Sequence, residues 1–284
     1  MILLADSGST KTDWLLLKEG KEYLRLQTRG FNPYFIDTSL VYDTLIKEFT
    51  GKFDLSLIKE VNFYGSGCRF ESKQAVINNA LKQLFLKAET TVESDLLGAA
   101  RALHGRGRGI AGILGTGSNA CLYDGTNVVE TNFSVGYIFG DEGSGATLGR
   151  IFLSLYLKNK VPSEIAETFE KMYTYTKEEI LTHVYKKPNP NSFLAKFTRF
   201  LKQQIKHPFI EDIVVNSFDD YFREQVSNFT GYKEIPFSCV GSVAHNFQEQ
   251  LEKAANRHGI TLGRTLILPM EGLVEFHLNN LIVE

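Results

Sequence analysis

The 284-residue chain has little of what most quickly types a protein. Its three cysteines, Cys68, Cys121 and Cys239, are odd in number and far apart, with no CxxC pair and no Cys/His cluster. That argues against a disulfide scaffold and a zinc site, and makes a reducing cytoplasm the expected setting. No apolar stretch approaches the roughly 18 residues needed to span a bilayer. The start has no basic lead, and Asp6 interrupts its apolar run, so it does not read as a secretory signal. A formal net charge of −2 implies no electrostatic pull toward nucleic acid or an anionic membrane. The Walker pattern GxxxxGK[ST] is missing, as is a GxGxxG opening a helix after the first strand. The chain is therefore neither a P-loop protein nor an obvious dinucleotide binder.

What is present is an α/β alternation that occurs twice. Ile2–Ala5, Thr12–Leu17 and Glu22–Gln27 predict an antiparallel meander, followed by a helix over Thr38–Phe49. Val61–Tyr64 reads as a buried strand ending in Gly65-Ser66-Gly67. A helix over Glu71–Leu86 shows helical spacing of Val76, Ile77, Ala80, Leu81, Leu84 and Phe85. Thr90–Glu93 predicts a strand and Asp95–Leu103 a helix. The second half starts again with strands over Gly109–Leu114, Ala120–Tyr123 and Val128–Asn132. Later come a strand over Phe237–Val240, a helix over Val243–His258 and a strand over Thr265–Leu268. Between Leu153 and Tyr232 the pattern turns helical, over Glu164–Tyr173, Lys177–Tyr185, Phe193–Lys206 and Ile210–Phe229, broken at Pro188-Asn189-Pro190. The apolar stripes of this insertion suit core packing or a subunit contact. Two related α/β domains with mixed sheets are expected, joined by a short hinge near His104–Arg108.

The stretch Asp6-Ser7-Gly8-Ser9-Thr10-Lys11-Thr12 joins the first two strands. Consecutive backbone N–H groups in a glycine-containing turn can cradle anionic oxygens, and Ser9, Thr10 and Thr12 add hydroxyls. An acid beside such a phosphate cradle needs a cation between them, so Asp6 points to Mg²⁺, held through water. Taken alone, the same residues also make an ordinary hairpin turn. A second turn, Gly115-Thr116-Gly117-Ser118-Asn119, stands at the matching place in the second half. Two glycine turns at duplicated positions suggest two jaws on one nucleotide tail.

The segments DSGSTKTDW, ESDLLGAARAL, GILGTGSN, GDEGSGATLG and CVGSVAHNF then carry a resemblance. In this order, across nearly the whole chain, they resemble the N-acetylglucosamine kinase and BadF/BadG-type ATPase family of the sugar kinase, Hsp70 and actin superfamily. The resemblance implies an α/β fold of two ribonuclease H-like (actin-like ATPase) domains around an interdomain cleft that binds ATP. Residues 1–106 with 271–284 would form the first domain. Residues 107–270 would form the second, with the insertion at about 153–232. The helix after Pro269 would return to the first domain.

The same resemblance assigns roles. Asp95 follows a strand at its carboxyl end, where open α/β sheets place their sites. The family's matching aspartate faces the sugar hydroxyl that is phosphorylated, which makes Asp95 the expected base. Asp95, or Ser94, also suits a helix cap, and both can hold at once. Asp141 and Asn32 would hydrogen-bond the sugar, with Pro33 fixing the extended backbone of Asn32. Gly8, Ser9, Thr10, Lys11, Thr12, Gly115, Thr116, Gly117 and Ser118 would line the phosphates. Gly241 and Ser242 would form an elbow against which the adenosine packs, although a plain strand-to-helix turn explains them equally well.

The expectation is a kinase dependent on ATP and Mg²⁺ that phosphorylates an amino sugar, N-acetylglucosamine first. No nucleic acid or membrane partner is implied, and the helical insertion offers a surface for a homodimer. The rivals are a BadF-type ATPase activator holding an iron–sulfur cluster through cysteines, and a non-catalytic nucleotide- or sugar-responsive binding protein.

Overall fold

The computed structural model describes residues 1–8 and 10–280. Two compact units result. The first comprises Met1–Gly107, Gly125–Asn127 and the segment from Pro269 onward; the second comprises Arg108–Asp124 and Val128–Leu268.

In the first unit β1 (Ile2–Ser7), β2 (Lys11–Lys18) and β3 (Lys21–Arg29) form the meander. Then come α1 (Thr38–Phe49), β4 (Glu60–Gly65), α2 (Glu71–Leu84), β5 (Glu89–Ser94) and α3 (Asp95–His104). The sheet order is β3-β2-β1-β4-β5, with β1 antiparallel to β2 and parallel to β4. One face of β2 builds the core. Trp14, fully buried, sits edge-on to Phe31 and Phe49 and packs against Phe63. Its indole N–H donates to Thr28 Oγ1 at 3.0 Å, so the polar end of the largest core side chain is satisfied. Asp37 caps α1 by accepting from the Leu40 amide at 2.8 Å.

The terminal helix, Met270–Asn280, packs on α3. Glycine permits that approach, since a Cβ on Gly272 would lie 2.2 Å from the carbonyl oxygen of Ala102. One turn earlier in α3, a Cβ on Gly98 would strike the ring of Tyr64. The Tyr64 hydroxyl lies 2.9 Å from His277 Nε2 and accepts from Arg101 at 3.0 Å. Helix α3 is thus clamped between a strand and the chain's last helix.

The second unit repeats the topology. Its strands are β6 (Gly109–Leu114), β7 (Ser118–Tyr123), β8 (Val128–Thr131), β9 (Phe237–Val240) and β10 (Leu262–Leu266), in the order β10-β9-β6-β7-β8. β6 is antiparallel to β7 and parallel to β9. Where the first unit has α1 between its third and fourth strands, the second carries a run of helices. These are α4 (Gly136–Phe139), α5 (Gly145–Leu157), α6 (Ser163–Met172), α7 (Lys177–Tyr185), α8 (Pro190–Ala195), α9 (Thr198–Gln203) and α10 (Pro208–Tyr221). Helices α11 (Ser242–Asn246) and α12 (Gln248–Arg257) follow β9. The insertion's stripes join the sheet residues of this unit in one core; within it Phe152, Phe169, Phe197 and Phe200 cluster, with ring centroids 5.0–5.6 Å apart along the contacts to Phe169.

Several element bounds differ from the sequence expectation. The helix expected over Val243–His258 is two, because Phe247 leaves helical geometry (φ −118°, ψ 34°) to bury its ring. Phe193–Lys206 likewise splits into α8 and α9, with Asn189 in the left-handed region ahead of Pro190. The helix expected to run to Phe229 changes register after Tyr221 into a π-helical turn, Phe222–Val226. The last strand is Leu262–Leu266 rather than Thr265–Leu268, with an irregularity between Leu262 and Thr265. Among the described residues no helix is long and apolar enough to cross a membrane.

Candidate active site

In the first unit three strand ends bring the candidate residues together. Asp6 lies in β1 itself, opposite Asp13 of β2 and Tyr64 of β4, so the turn proper is shorter than the sequence suggested. Asp95 is the first residue of α3, directly after β5, and its neighbour Ser94 caps that helix by accepting from the Leu97 amide at 3.2 Å. Cap and candidate base are therefore adjacent residues with separate tasks. The Asp95 carboxylate accepts from the Leu96 amide and from the hydroxyl of Ser66, just past the end of β4. Burial holds the Asp95 carboxyl above the usual carboxylate range, and those donors oppose the shift. Asp6 is pushed up to about 7, first by burial and then by the like charges of Asp95 and Asp13, with Lys11 acting the other way.

Asn32 lies against the loop that follows β4. Its Oδ1 accepts from the Tyr34 amide at 3.1 Å, and a Cβ on Gly67 would come within 2.7 Å of the same oxygen. Gly67 has φ +83°, so the loop after β4 needs glycine for its backbone and for room beside Asn32.

The hairpin turn is partly committed to its own structure. The Gly8 amide donates to the carbonyl of Lys11 at 3.0 Å, and the Thr10 carbonyl accepts from Gly30 at 2.9 Å. Thr12 belongs to β2 and is buried. Its hydroxyl donates to Arg29 O at 3.1 Å and lies 2.7 Å from Ser7 Oγ. Lys11 pairs with Asp13 at 2.7 Å. The exposed residues of the turn are Gly8, Thr10 and Lys11; Ser9 lies outside the described residues.

In the second unit the remaining candidates also converge. The β6–β7 turn, Gly115 to Gly117, is bonded to the start of α5, where Gly145 and Ala146 donate to the carbonyls of Gly115 and Thr116 at 2.8 and 3.0 Å. Asp141 has φ +56°, a left-handed conformation that costs a non-glycine residue of order 1 kcal/mol. In that conformation its carboxylate reaches the Ser118 amide, which donates to it, while burial and then the charge of Glu142 oppose and raise its pKa. A Cβ on Gly117 would come within 3.0 Å of Asp141 Oδ2, so glycine there keeps the carboxylate's place open.

Gly241 borders the same turn. At φ +131°, a Cβ would lie 2.1 Å from the carbonyl oxygen of Leu114. The need for glycine comes from this close approach of backbone to backbone, before any ligand is considered. Ser242 opens α11 and is exposed.

Two groupings thus emerge. Asp6, Asn32 and Asp95 meet in one unit; Gly115, Thr116, Gly117, Ser118, Asp141 and Gly241 meet in the other. Sequence reasoning did not single out Ser66, although it sits in Gly65-Ser66-Gly67 at the end of a strand whose neighbour ends at Ser94, one residue before Asp95. The cysteines are all free and buried. Burial pushes the thiols of Cys68 and Cys239 up to about 12, far from the thiolate form that ligates iron.

The arrangement of buried carboxylates suits a cation. The charge of Asp95 raises the cost of ionising Asp6, and a hard divalent ion held by one or two carboxylates and water would relieve it. Among the described residues no cluster of three or more metal-ligating side chains occurs.

No protein-family model and no curated protein matches the sequence. Solved structures do. A proposed N-acetylglucosamine kinase from Porphyromonas gingivalis is 43% identical, superposes with a TM-score of 0.93 and matches over 99% of each chain. A second proposed N-acetylglucosamine kinase, from Chromobacterium violaceum, is 16% identical with a TM-score of 0.73 over 97% of this chain and 98% of that one. A ROK-family glucokinase from Streptomyces griseus, in complex with glucose and AMPPNP, shares 15% identity and a TM-score of 0.55 over 96% of both chains. The last two speak to the fold alone.

Proposed function

The chain belongs to the N-acetylglucosamine kinase family, and on that premise we propose that it transfers the γ-phosphoryl group of ATP to a hydroxyl of an amino sugar, with N-acetylglucosamine as the sugar. The observation that carries this reading is Asp95. It is a half-buried carboxylate at the end of a strand and the start of a helix, held by Ser66 and the Leu96 amide, in a chain that is similar to a proposed N-acetylglucosamine kinase over 99% of its length.

In this reading Asp95 accepts a hydrogen bond from the acceptor hydroxyl and takes its proton as the oxygen bonds to the γ-phosphorus. The bond from that phosphorus to the β,γ-bridging oxygen breaks, and ADP leaves with the electron pair. Asn32 and Asp141 hold other polar groups of the sugar. Gly8, Thr10 and Lys11 on one hairpin, and Gly115, Thr116, Gly117 and Ser118 on the other, serve the phosphates. Ser9 shares this assignment by its place in the sequence. Thr12 supports the hairpin from within, through Ser7 and Arg29. Gly241 and Ser242 offer an exposed edge for the adenosine. Mg²⁺ would be held near Asp6 and would supply charge neutralisation of the phosphates.

The test is ADP release in the presence of magnesium, over a panel of hexoses, hexosamines, N-acetylhexosamines and N-acetylmuramic acid. N-acetylglucosamine should give the highest kcat/KM and a phosphorylated sugar product. ADP release that ignores the sugar would overturn the reading in favour of an ATPase, and purified protein carrying iron would favour the activator.

A further inference from the structure

The turn bearing Asp141 is tied down at successive residues. Thr147 Oγ1 donates to the carbonyl of Gly140 at 3.3 Å, Ser118 Oγ to that of Glu142 at 2.7 Å, and the Gly143 amide to Ser217 Oγ at 3.2 Å. The Ser144 amide closes the turn onto the carbonyl of Asp141 at 3.1 Å. These bonds explain how Asp141 stays in a left-handed conformation. They fix the backbone and leave one matter open: Glu142, the second acid of the turn, carries a charge beside that of Asp141.

That side chain has its own holder. Gln225 donates from Nε2 to Glu142 Oε2 at 3.0 Å. Gln225 is itself anchored, because Asn132 Nδ2 donates to its main-chain carbonyl at 2.5 Å and faces its Oε1 at 3.4 Å. A side-chain amide whose oxygen faces a donor has its nitrogen directed at an acceptor, so Asn132 sets which end of Gln225 meets Glu142. Gln225 stands on the π-helical turn Phe222–Val226 that continues α10, and Ser217 stands on α10 itself. π-helical turns inside α-helices recur at functional sites, where the extra residue re-aims a side chain. One continuous element of the helical insertion therefore grips the Asp141 turn twice, once by its backbone and once by its second carboxylate.

We propose that Gln225 is a positioning residue for the sugar site, which holds the Glu142 carboxylate aside so that Asp141 alone presents its charge to the substrate. This rests on the reading of Asp141 as a sugar contact given above. Freed from Gln225, the Glu142 carboxylate is able to turn toward Asp141. There it disfavours ionisation of that residue and competes for the same donors. The helical insertion is thereby part of the substrate site.

A double-mutant cycle with steady-state kinetics tests this, with N-acetylglucosamine and ATP varied in turn. Gln225→Leu removes the amide and keeps an apolar stem of similar length. It should raise the sugar KM about tenfold, the loss expected of a hydrogen bond to a charged group, and leave the ATP KM within about twofold. Glu142→Gln removes the charge that needs holding and should change the sugar KM by no more than about twofold. Joined to it, Gln225→Leu should cost little more, so the double variant restores most of the affinity lost in the single one. Gln225→Glu, whose carboxylate repels Glu142, should be at least as impaired as Gln225→Leu and serves as the second probe if the leucine variant fails to fold.

Additive effects in the double variant, or an unchanged sugar KM in both Gln225 variants, would overturn the role of Gln225. Sugar and ATP KM rising together would mark a general packing defect and overturn it as well. A wild-type protein that phosphorylates no sugar of the panel would instead bring down the reading on which the proposal rests.

Discussion

Burial raises the pKa of both Asp95 and Asp6, but their neighbours differ. Asp95 has donors at hand, from Ser66 and Leu96, that favour its charged form against burial. Asp6, pushed up to about 7, is a carboxyl that gives up its proton readily only to a cation. Two expectations follow at this scale. Asp95→Asn should lower kcat for sugar phosphorylation by about a thousandfold or more, with ATP binding by calorimetry within about twofold. Loss of ATP binding by the same amount would remove the base assignment. For Asp6, the unfolded chain releases its proton near 3.8 and the folded chain near 7, so the folded state binds more protons in between. Its contribution to the stability of the cation-free protein therefore falls as pH rises across that window. Magnesium must displace the proton, so apparent Mg²⁺ affinity should weaken roughly tenfold per pH unit below about pH 7. Titration calorimetry at several pH values checks this, and Asp6→Asn should abolish the dependence. The place of Asp95 in the fold was legible, because a strand end followed by an acid and a helical pattern is a local signal; its proposed role came from the resemblance. Thr12 was misread for the same reason: a hydroxyl in a small polar turn looks available, and only the pairing with Ser7 across the hairpin shows that it is buried. Gln225 left no signal, since its partner lies 83 residues away.

At the scale of elements, α3 is the part that translates packing into chemistry. Its first residue is Asp95, and its body is pinned between Tyr64 and the terminal helix through Gly98 and Gly272. Gly272→Ala places a methyl against the Ala102 carbonyl at 2.2 Å and must push one helix off the other. A loss of about 1–3 kcal/mol in unfolding free energy is expected, together with a lower kcat, because a shifted α3 carries Asp95 with it. A stability loss with kcat intact would show that α3 tolerates the displacement. His277 in the same contact is buried, and burial followed by the Arg101 charge pulls its pKa down to about 4. The unfolded chain protonates this histidine near 6.5, so between about 6.5 and 4 the unfolded state binds more protons. This group's contribution to stability is present above that window and falls as pH drops through it, by of order 2–3 kcal/mol in full. Asp6 acts in the opposite sense over an overlapping range, and Asp95 and Asp141 are raised too, so the change in unfolding free energy between pH 7 and pH 5 that is lost in His277→Gln, compared with the parent chain, is the histidine's share. Most elements were legible, because amphipathic stripes such as Val76 to Phe85 are local; α4 and α5, which follow the glycine-rich turns, were not read from the pattern. The splitting at Phe247 and the π-helical turn after Tyr221 were not, since both follow from what the rings of Phe247 and Phe222 bury against.

For the whole molecule, the legible feature was repetition. Three antiparallel strands followed by parallel ones occur in each half, and both sheets close in the same order, with the fourth and fifth strands added beside the first. The insertion interrupts that pattern at one place in the second unit and extends the core of that unit, in keeping with its long aromatic-rich stripes. Each unit has a separate hydrophobic core, and that separation has an optical consequence. Trp14 is the chain's single tryptophan, and it lies in the core of the first unit with its ring boxed in by phenylalanines. Intrinsic emission excited at the indole band is therefore a private channel for that unit. Melting followed by emission should show one sigmoid, whereas circular dichroism sums over both. If the units come apart thermally, the dichroism trace carries a second step that the emission trace is blind to; a variant such as Phe169→Ala should move that step alone, leaving the glow of Trp14 to mark a temperature that does not change.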